Sequence, residues 1–158
     1  MEEVKKITKT VQMNGKPVEI IMTEMMRPKT QEELDAMTPE ERDHCKYLSP
    51  LNTHTYVAEE GILCMQDTPV KMRDGATIYV DIYLPEKKDR YPLIISWSFY
   101  GKRPFDGQSE WQIMGVPPGT VSDMSKFESP DPGFWCRRGY AVANVDPRGI
   151  GHSEGDFI

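Results

Sequence analysis

The chain has 158 residues, of which 38% are hydrophobic and 28% are charged, and its formal net charge at pH 7 is −6. This length and composition suit one globular domain with a core of its own, and are too small for two ordinary domains. The negative charge argues against a nucleic-acid partner, because binding to phosphates requires a basic face.

The cysteines and the distribution of apolar residues indicate the cellular compartment. Cys45, Cys64 and Cys136 are an odd number without metal-site spacing, which favours reduced thiols and no metal. No apolar run is long enough to span a membrane, and the first residues lack the apolar centre of a signal peptide. We therefore predict a cytoplasmic protein that makes no membrane contact.

We interpret residues 1–66 as an N-terminal extension that contains a hairpin and two short helices. Two β-capable runs flank Asn14-Gly15, the strongest short signal for a hairpin. Two capping-box sequences follow, and they predict helices over Gln31–Met37 and Pro39–Leu48.

Residues 67–158 have the pattern of a layered α/β domain. A second hairpin turns at Asp74-Gly75, and its second strand alternates apolar and polar residues. An apolar strand over Pro92–Ser98 follows, then an irregular stretch, a helix that begins at Asp131-Pro132 and stops at Gly139, and a buried strand that ends at Asp146. Because a crossover with a helix joins the last two strands, we expect them to be parallel. The fold class is therefore α/β, with a mixed sheet that begins with an antiparallel hairpin.

The residues from Gly151 to Gly155 match G-x-S-x-G, the pattern of the nucleophile elbow in serine hydrolases. A working elbow places its serine on a tight turn between a strand and a helix, with an aspartate and a histidine later in the chain. Here the predicted strand ends near Asp146, only five residues follow Ser153, and neighbours on a turn such as His152 usually point apart. We therefore predict a structural role for Ser153 in a glycine-rich loop.

Three stretches carry a family resemblance: VKMRDGATIYVDIYLP, YPLIISWSFYGK and FWCRRGYAVANVDPRGIGHSEGDF. In this order and spacing they closely resemble the X-Pro dipeptidyl-peptidase and cocaine-esterase (CocE/NonD) group of α/β-hydrolases, over about residues 67–158. The resemblance identifies this part as the N-terminal half of a hydrolase domain. It implies hydrolysis of an ester or peptide bond through an acyl-enzyme, without a cofactor.

In that family the serine nucleophile lies a few dozen residues after the last of these stretches, with the acid and the histidine farther on. The chain is therefore expected to be inactive alone. The resemblance also implies a role for Tyr100, which matches a tyrosine whose hydroxyl helps to hold the oxyanion, although Phe99 replaces the usual proline. The loop after this strand is independently where α/β-hydrolases place one oxyanion donor. The alternative is a tyrosine that only packs at the end of a strand.

The family's strand order predicts that Pro92–Ser98 forms an open, apolar edge of the sheet. Such an edge invites pairing with another chain or aggregation, so we expect the isolated chain to be poorly soluble, partly molten or oligomeric. A second function follows from this edge: a non-catalytic interaction module that docks on a partner chain through it.

Other polar residues are weaker candidates for a site. Asp146 and Arg148 flank Pro147 at a strand end, where an ion pair or loop hydrogen bonds are favoured over catalysis. His44 and His54 have no carboxylate or cysteine array around them, and we expect structural or surface roles.

Overall fold

The computed structural model describes residues 6–23, 29–39, 49–87, 89–104, 111 and 114–156. These residues form seven strands and two short helices in the order β1 (Lys6–Met13), β2 (Lys16–Thr23), α1 (Gln31–Asp35), β3 (His54–Glu59), β4 (Ile62–Lys71), β5 (Thr77–Pro85), β6 (Leu93–Trp97), α2 (Pro132–Cys136) and β7 (Ala141–Asp146). Within these ranges, no helix combines the length and apolar character needed to span a bilayer.

The N-terminal hairpin forms as predicted. Strands β1 and β2 pair antiparallel as a separate two-stranded sheet. Asn14 and Gly15 connect them with φ values of 51° and 73°. Positive φ at both central residues defines the hairpin turn that Asn-Gly favours, because its twist matches that of the flanking strands.

The first predicted helix is also confirmed, although it ends at Asp35 rather than at Met37. Helix α1 begins after Thr30, whose hydroxyl accepts from the Glu33 N–H while the Glu33 carboxylate accepts from the Thr30 N–H, forming a complete capping box. The second predicted helix, Pro39–Leu48, lies outside the described residues after its first position.

The main body is a five-stranded mixed sheet in the order β3-β4-β5-β7-β6. Its pairs are antiparallel except β6 and β7, which are parallel as predicted. Strand β3 is not among the predicted strands, and β4 runs through the predicted domain boundary after residue 66. The division into an extension and a partial domain stays a prediction. The observed sheet is mixed and contains an antiparallel hairpin and a parallel pair, as predicted.

The core lies on both faces of the sheet. One face packs residues from four elements and from the loop before α2: Ile62, Cys64, Tyr83, Met124, Cys136 and Val142. The other face packs Ile78, Val80, Ala143 and Val145. Because β7 is covered on both sides, all six of its residues are buried, which confirms the buried strand predicted to end at Asp146.

The connection from β6 to β7 positions the loops discussed below. Helix α2 begins at the N-cap Asp131, whose carboxylate accepts from the Gly133 N–H, and has proline at its first position. The chain leaves it through Gly139, which has a φ of 82°. This start and this stop confirm the predicted helix, because Asp-Pro and glycine are the usual residues at those two positions.

Strand β6 lies at the edge of the five-stranded sheet, as predicted, and β7 is the one strand paired with it among the described residues. Leu93, Ile95 and Trp97 point to one face and are 51%, 57% and 55% exposed. Phe99 extends this apolar stripe past the end of the strand. A long apolar edge with free backbone groups is what sheet proteins normally cover.

Candidate active site

The candidate site lies where the parallel strands β6 and β7 end. Carboxyl ends of neighbouring parallel strands meet at one edge of a sheet, and ligands of open α/β sheets bind in the crevice there. The loop after β6 carries Tyr100, the loop before α2 carries Phe127, and the loop after β7 carries Ser153. The loop that carries Tyr100, the one residue predicted for the site, therefore lies at the carboxyl end of this parallel pair.

Tyr100 stands three residues after the end of β6 on a tight turn. Its N–H donates to the Ser98 hydroxyl at 3.2 Å, and the Gly101 N–H donates to the Ser98 carbonyl at 3.3 Å. Its ring contacts Phe127 edge-on, with 4.9 Å between centroids, and Phe99 at 4.1 Å. Two aromatic contacts restrict the direction of the phenol, which is what a preorganised hydrogen-bond donor requires.

The Asp146 carboxylate joins the loops after β6 and β7. A Cβ at Gly101 would lie 3.4 Å from one carboxylate oxygen, and a Cβ at Gly151 would lie 2.5 Å from the other. Both glycines have positive φ, 80° and 56°. Only glycine permits this backbone conformation and this close approach together. The two loops are therefore packed directly on one buried side chain, which is 2% exposed.

The sequence did not predict a cluster of ionic side chains that includes Lys102 and Arg103, which follow Tyr100 in the chain. We define the buried ion cluster as Asp67, Asp81, Lys102, Arg103 and Asp146. The Lys102 ammonium donates to Asp146 and lies 3.3 Å from an Asp67 oxygen. The Arg103 guanidinium lies 2.5 Å from Asp67 and donates through Nε to Asp81 at 2.8 Å.

The aspartates come from three strands. Asp67 sits in an irregular step of β4, between Met65 and Thr68, with a φ of 49°, and its N–H donates to Asp81 at 2.8 Å. Asp81 lies in the middle of β5 and Asp146 ends β7. The bulge places the Asp67 carboxylate toward the loop after β6, which a regular strand position would not do.

Burial and pairing act in opposite directions on the carboxyl groups of the cluster. Burial raises the pKa of Asp67, but hydrogen bonds from Arg103 and the Asn52 N–H, with the charges of Arg103 and Lys102, outweigh it and lower the pKa to about 2. Burial raises the pKa of Asp81 above its ordinary value, and Arg103 opposes that rise. The cluster contains three acidic and two basic side chains, so each cation faces at least one carboxyl group.

A further buried cation outside the cluster, Lys126, lies close enough to Asp146 to be attracted by it. It is 1% exposed, and its ammonium has no hydrogen-bond partner among the described residues. Burial lowers the pKa of Lys126 from 10.5 to about 8, against the attraction of Asp146. Its charge is therefore held in an unfavourable environment at neutral pH.

Replacing Lys126 with methionine is expected to raise the free energy of unfolding by about 2 kcal/mol at pH 7, because an unpaired buried charge is removed and the volume is kept. Since the folded pKa lies below the unfolded one, the unfolded wild-type chain binds more protons between pH 8 and 10.5. Wild-type stability should therefore rise with pH across that window, and the rise should vanish in Lys126→Met.

Urea denaturation at several pH values measures both effects. Lys71→Met, at an exposed position of β4, is the matched control and should change stability little. A Lys126→Met chain that is less stable than wild type at pH 7 would contradict the assignment.

Ser153 makes two hydrogen bonds within the fold, which agree with the structural role predicted for it. Its hydroxyl donates to the Asp146 carbonyl at 2.6 Å and accepts from the Tyr79 N–H at 2.9 Å. The residues from 147 to 156 form turns rather than a helix, so the strand-to-helix bend of a nucleophile elbow is missing here. His152 instead faces the Tyr79 ring edge-on. The two hydrogen bonds of this hydroxyl thus connect the loop after β7 to strands β5 and β7.

Ser153→Ala is expected to lower the free energy of unfolding by about 1–3 kcal/mol, because the half-buried Tyr79 N–H loses its acceptor. Thermal or urea denaturation checks this, with Thr55→Ala at an exposed β3 position as the control. Equal stability of Ser153→Ala and wild type would show that these two hydrogen bonds contribute nothing.

The other sequence candidates are placed as follows. Asp146 and Arg148 both form ion pairs, as predicted, with Lys102 and with Asp74 at 2.9 Å respectively. His54 is exposed and stacks on Tyr56 with 5.2 Å between ring centroids. His44 lies outside the described residues. Within the described ranges, no group of three or more His, Cys, Asp or Glu side chains could hold a metal ion.

A hollow of about 380 Å³ opens at the carboxyl end of β6. It lies at the edge of the sheet, and its lining residues are Trp97, Ser98, Phe99, Glu128 and Pro147. A second hollow of about 420 Å³ lies away from this edge, between α2 and β3. The first hollow adjoins the end of β6 and the two residues before Tyr100, and the second adjoins neither.

Comparison with known proteins assigns the chain to a family. The model of the X-Pro dipeptidyl-peptidase (S15) family matches residues 74–158. Two crystal structures of a CocE/NonD family hydrolase from Staphylococcus aureus are similar to this chain, each with 35% sequence identity and a TM-score of 0.53. Each match covers 61% of this chain and 17% of the staphylococcal one, and no curated protein matches. The chain belongs to the X-Pro dipeptidyl-peptidase (S15) family.

Proposed function

We propose that this chain is the N-terminal part of an α/β-hydrolase and supplies Tyr100 as an oxyanion donor for cleavage of an ester or peptide bond. The nucleophilic serine, its acid and its histidine come from the polypeptide that continues the sheet. The observation that carries the proposal is the position of Tyr100, in a chain of this family, on a fixed turn at the carboxyl end of β6.

The proposed chemistry is acyl transfer. Attack of a serine oxygen on the substrate carbonyl gives a tetrahedral intermediate whose oxygen carries the negative charge. A phenol held by packing can donate a hydrogen bond to that oxygen without reorganising during the reaction. Collapse of the intermediate expels the alcohol or amine and leaves an acyl-serine, which water then hydrolyses.

The open edge of the sheet supports a nucleophile-bearing strand beside β6. In the family's strand order the nucleophile-bearing strand lies beside the strand that corresponds to β6. That side of β6 is unpaired among the described residues, and the hollow lined by Trp97, Phe99 and Pro147 adjoins it. A serine at the end of such a neighbouring strand would stand next to Tyr100.

Complementation tests the proposal. The purified chain is mixed with the part of the Staphylococcus aureus CocE/NonD hydrolase that follows the matched portion, and turnover of p-nitrophenyl acetate and of an X-Pro p-nitroanilide is measured. We expect turnover by the mixture and none by either part. Preference for one substrate identifies the bond type. A mixture that binds but stays inactive toward both substrates would contradict the proposed function.

The exposed stripe of Leu93, Ile95 and Trp97 favours a second function, a non-catalytic module that docks a partner chain on β6. Backbone hydrogen bonds of an added strand and burial of this stripe would supply the affinity. In the same mixture, this function predicts protection of the β6 amides from hydrogen exchange without turnover of either substrate.

We also infer that the protein works in a reducing compartment such as the cytoplasm. Cys64 and Cys136 are free and buried, and burial raises the pKa of each thiol to about 11. Such thiols are protonated and inaccessible, which is typical of structural cysteines rather than redox or metal-binding ones.

A further inference from the structure

The buried ion cluster follows Tyr100 directly in the chain. Gly101 separates Tyr100 from Lys102, and Arg103 comes next. Two residues of extended chain span at most about 7 Å, so an anchored Lys102 limits how far the backbone of Tyr100 can move.

Lys102 is the most completely enclosed cation of the cluster. It is 1% exposed, and its ammonium contacts carboxylates at 1% and 3% exposure that belong to β4 and β7. Arg103 is more exposed, at 14%, and contacts β4 and β5. The lysine therefore connects the Tyr100 turn to two strands that are not neighbours in the sheet.

The carboxylate that receives Lys102 also touches the turn itself. The backbone of Gly101 packs on the Asp146 carboxylate. Gly151, in the loop after β7, packs on the same carboxylate. The turn is thus held at Ser98, at Gly101 and at Lys102, on both sides of Tyr100. A buried charged contact that is fully paired allows one geometry, since any displacement separates opposite charges in a poorly solvated place.

We propose that Lys102 is a positioning residue for Tyr100: its ion pairs with Asp146 and Asp67 hold the tyrosine hydroxyl in the direction that an oxyanion requires. The catalytic meaning of this role rests on the function proposed above. The mechanical role of Lys102 in ordering Tyr100 does not, and the two can be tested separately.

Fluorine NMR tests the ordering of Tyr100 in the chain as it exists. All seven tyrosines are labelled as 3-fluorotyrosine, and the Tyr100 signal is the one lost in Tyr100→Phe. In Lys102→Met we expect this signal to move toward the position of free 3-fluorotyrosine while the other six stay in place. Arg148→Met removes an exposed ion pair and should leave all seven signals unchanged.

A second variant covers the case in which Lys102→Met does not fold. Asp146→Asn keeps the shape of the side chain and removes the charge that Lys102 contacts, and it should move the Tyr100 signal selectively as well. An unmoved Tyr100 signal in a folded variant, or loss of all seven signals together in both variants, would overturn the positioning role.

Kinetics in the complemented hydrolase separate this proposal from the proposed function. Lys102→Met is expected to lower kcat about tenfold at nearly constant KM, because a misdirected donor weakens interactions made only in the transition state. If Tyr100→Phe leaves kcat unchanged, the proposed function fails, and a selective fluorine shift still supports the positioning role. If Tyr100→Phe lowers kcat and Lys102→Met does not, the positioning role fails alone.

Discussion

Arg103→Met is expected to lower the free energy of unfolding by about 3–5 kcal/mol at pH 7, the usual cost of removing one partner from a buried ion pair. Arg103 contacts Asp67 at 2.5 Å and Asp81 at 2.8 Å, and both aspartates are almost fully buried. Without the guanidinium, only the Lys102 ammonium remains to face three buried carboxylates.

The pH dependence of this loss identifies its cause. Burial already raises the pKa of Asp81, and losing Arg103 should raise it further, so the variant takes up protons in the folded state as pH falls. A carboxyl group with a raised folded pKa contributes stability below that pKa. The difference between Arg103→Met and wild type should therefore shrink from pH 7 toward pH 5.

Urea denaturation at both pH values measures the effect, with Arg148→Met as the control. Arg148 makes an exposed ion pair with Asp74, and its loss should leave the stability close to that of wild type at either pH. A stability loss for Arg103→Met that is the same at both pH values would indicate lost packing rather than uncompensated carboxylates.

Tyr100→Phe is expected to lower kcat of the complemented hydrolase about 100-fold, corresponding to about 3 kcal/mol for one oxyanion donor, with little change in KM. The phenylalanine ring keeps the contacts with Phe99 and Phe127 and removes only the hydroxyl. The expected loss therefore reports a hydrogen bond made in the transition state.

Tyr91→Phe is the matched control for this change. The Tyr91 hydroxyl donates to the Lys87 carbonyl before β6, at the opposite end of that strand from Tyr100. Its loss should leave kcat within about twofold of wild type. A Tyr100→Phe enzyme with wild-type kcat would instead make Tyr100 a packing residue, which is the alternative that the sequence left open.

The elements with strong local signals were predictable from the sequence. Asn14-Gly15 indicated a hairpin, Asp131-Pro132 indicated the start of α2, and the run YAVANVD indicated a buried strand. Each of these signals consists of residues that are close together in the sequence, so it can be recognised without knowing the tertiary structure.

Strand β3 escaped prediction because it gives no such signal. Four of its six residues are exposed, and its pairing with β4 depends on tertiary context rather than on alternation of apolar residues. The sequence therefore assigned it to the extension before the sheet.

The buried ion cluster was not predicted from the sequence for a different reason. Its cations are adjacent, but the carboxylates that they contact lie 22, 36 and 44 residues away in the chain. A Lys-Arg pair in a polar loop is normally a solvated surface feature. The available signal was an aspartate, Asp81, in the centre of an apolar strand, because a buried carboxylate requires a cation.

The position of Tyr100 after β6 agrees with the sequence analysis, and its role as an oxyanion donor stays a prediction. The same holds for the solubility of the isolated chain, although the exposed apolar edge on which that expectation depends is present.

Labelling with a fluorophosphonate, followed by mass spectrometry of the modified peptides, tests the central claim most directly. The claim is that this chain provides the oxyanion donor and another segment provides the serine. In the mixture of the chain with the C-terminal part of the staphylococcal hydrolase, the reagent should modify a serine of the added part and leave Ser153 unmodified. Modification of Ser153, in the mixture or in the chain alone, would contradict the account.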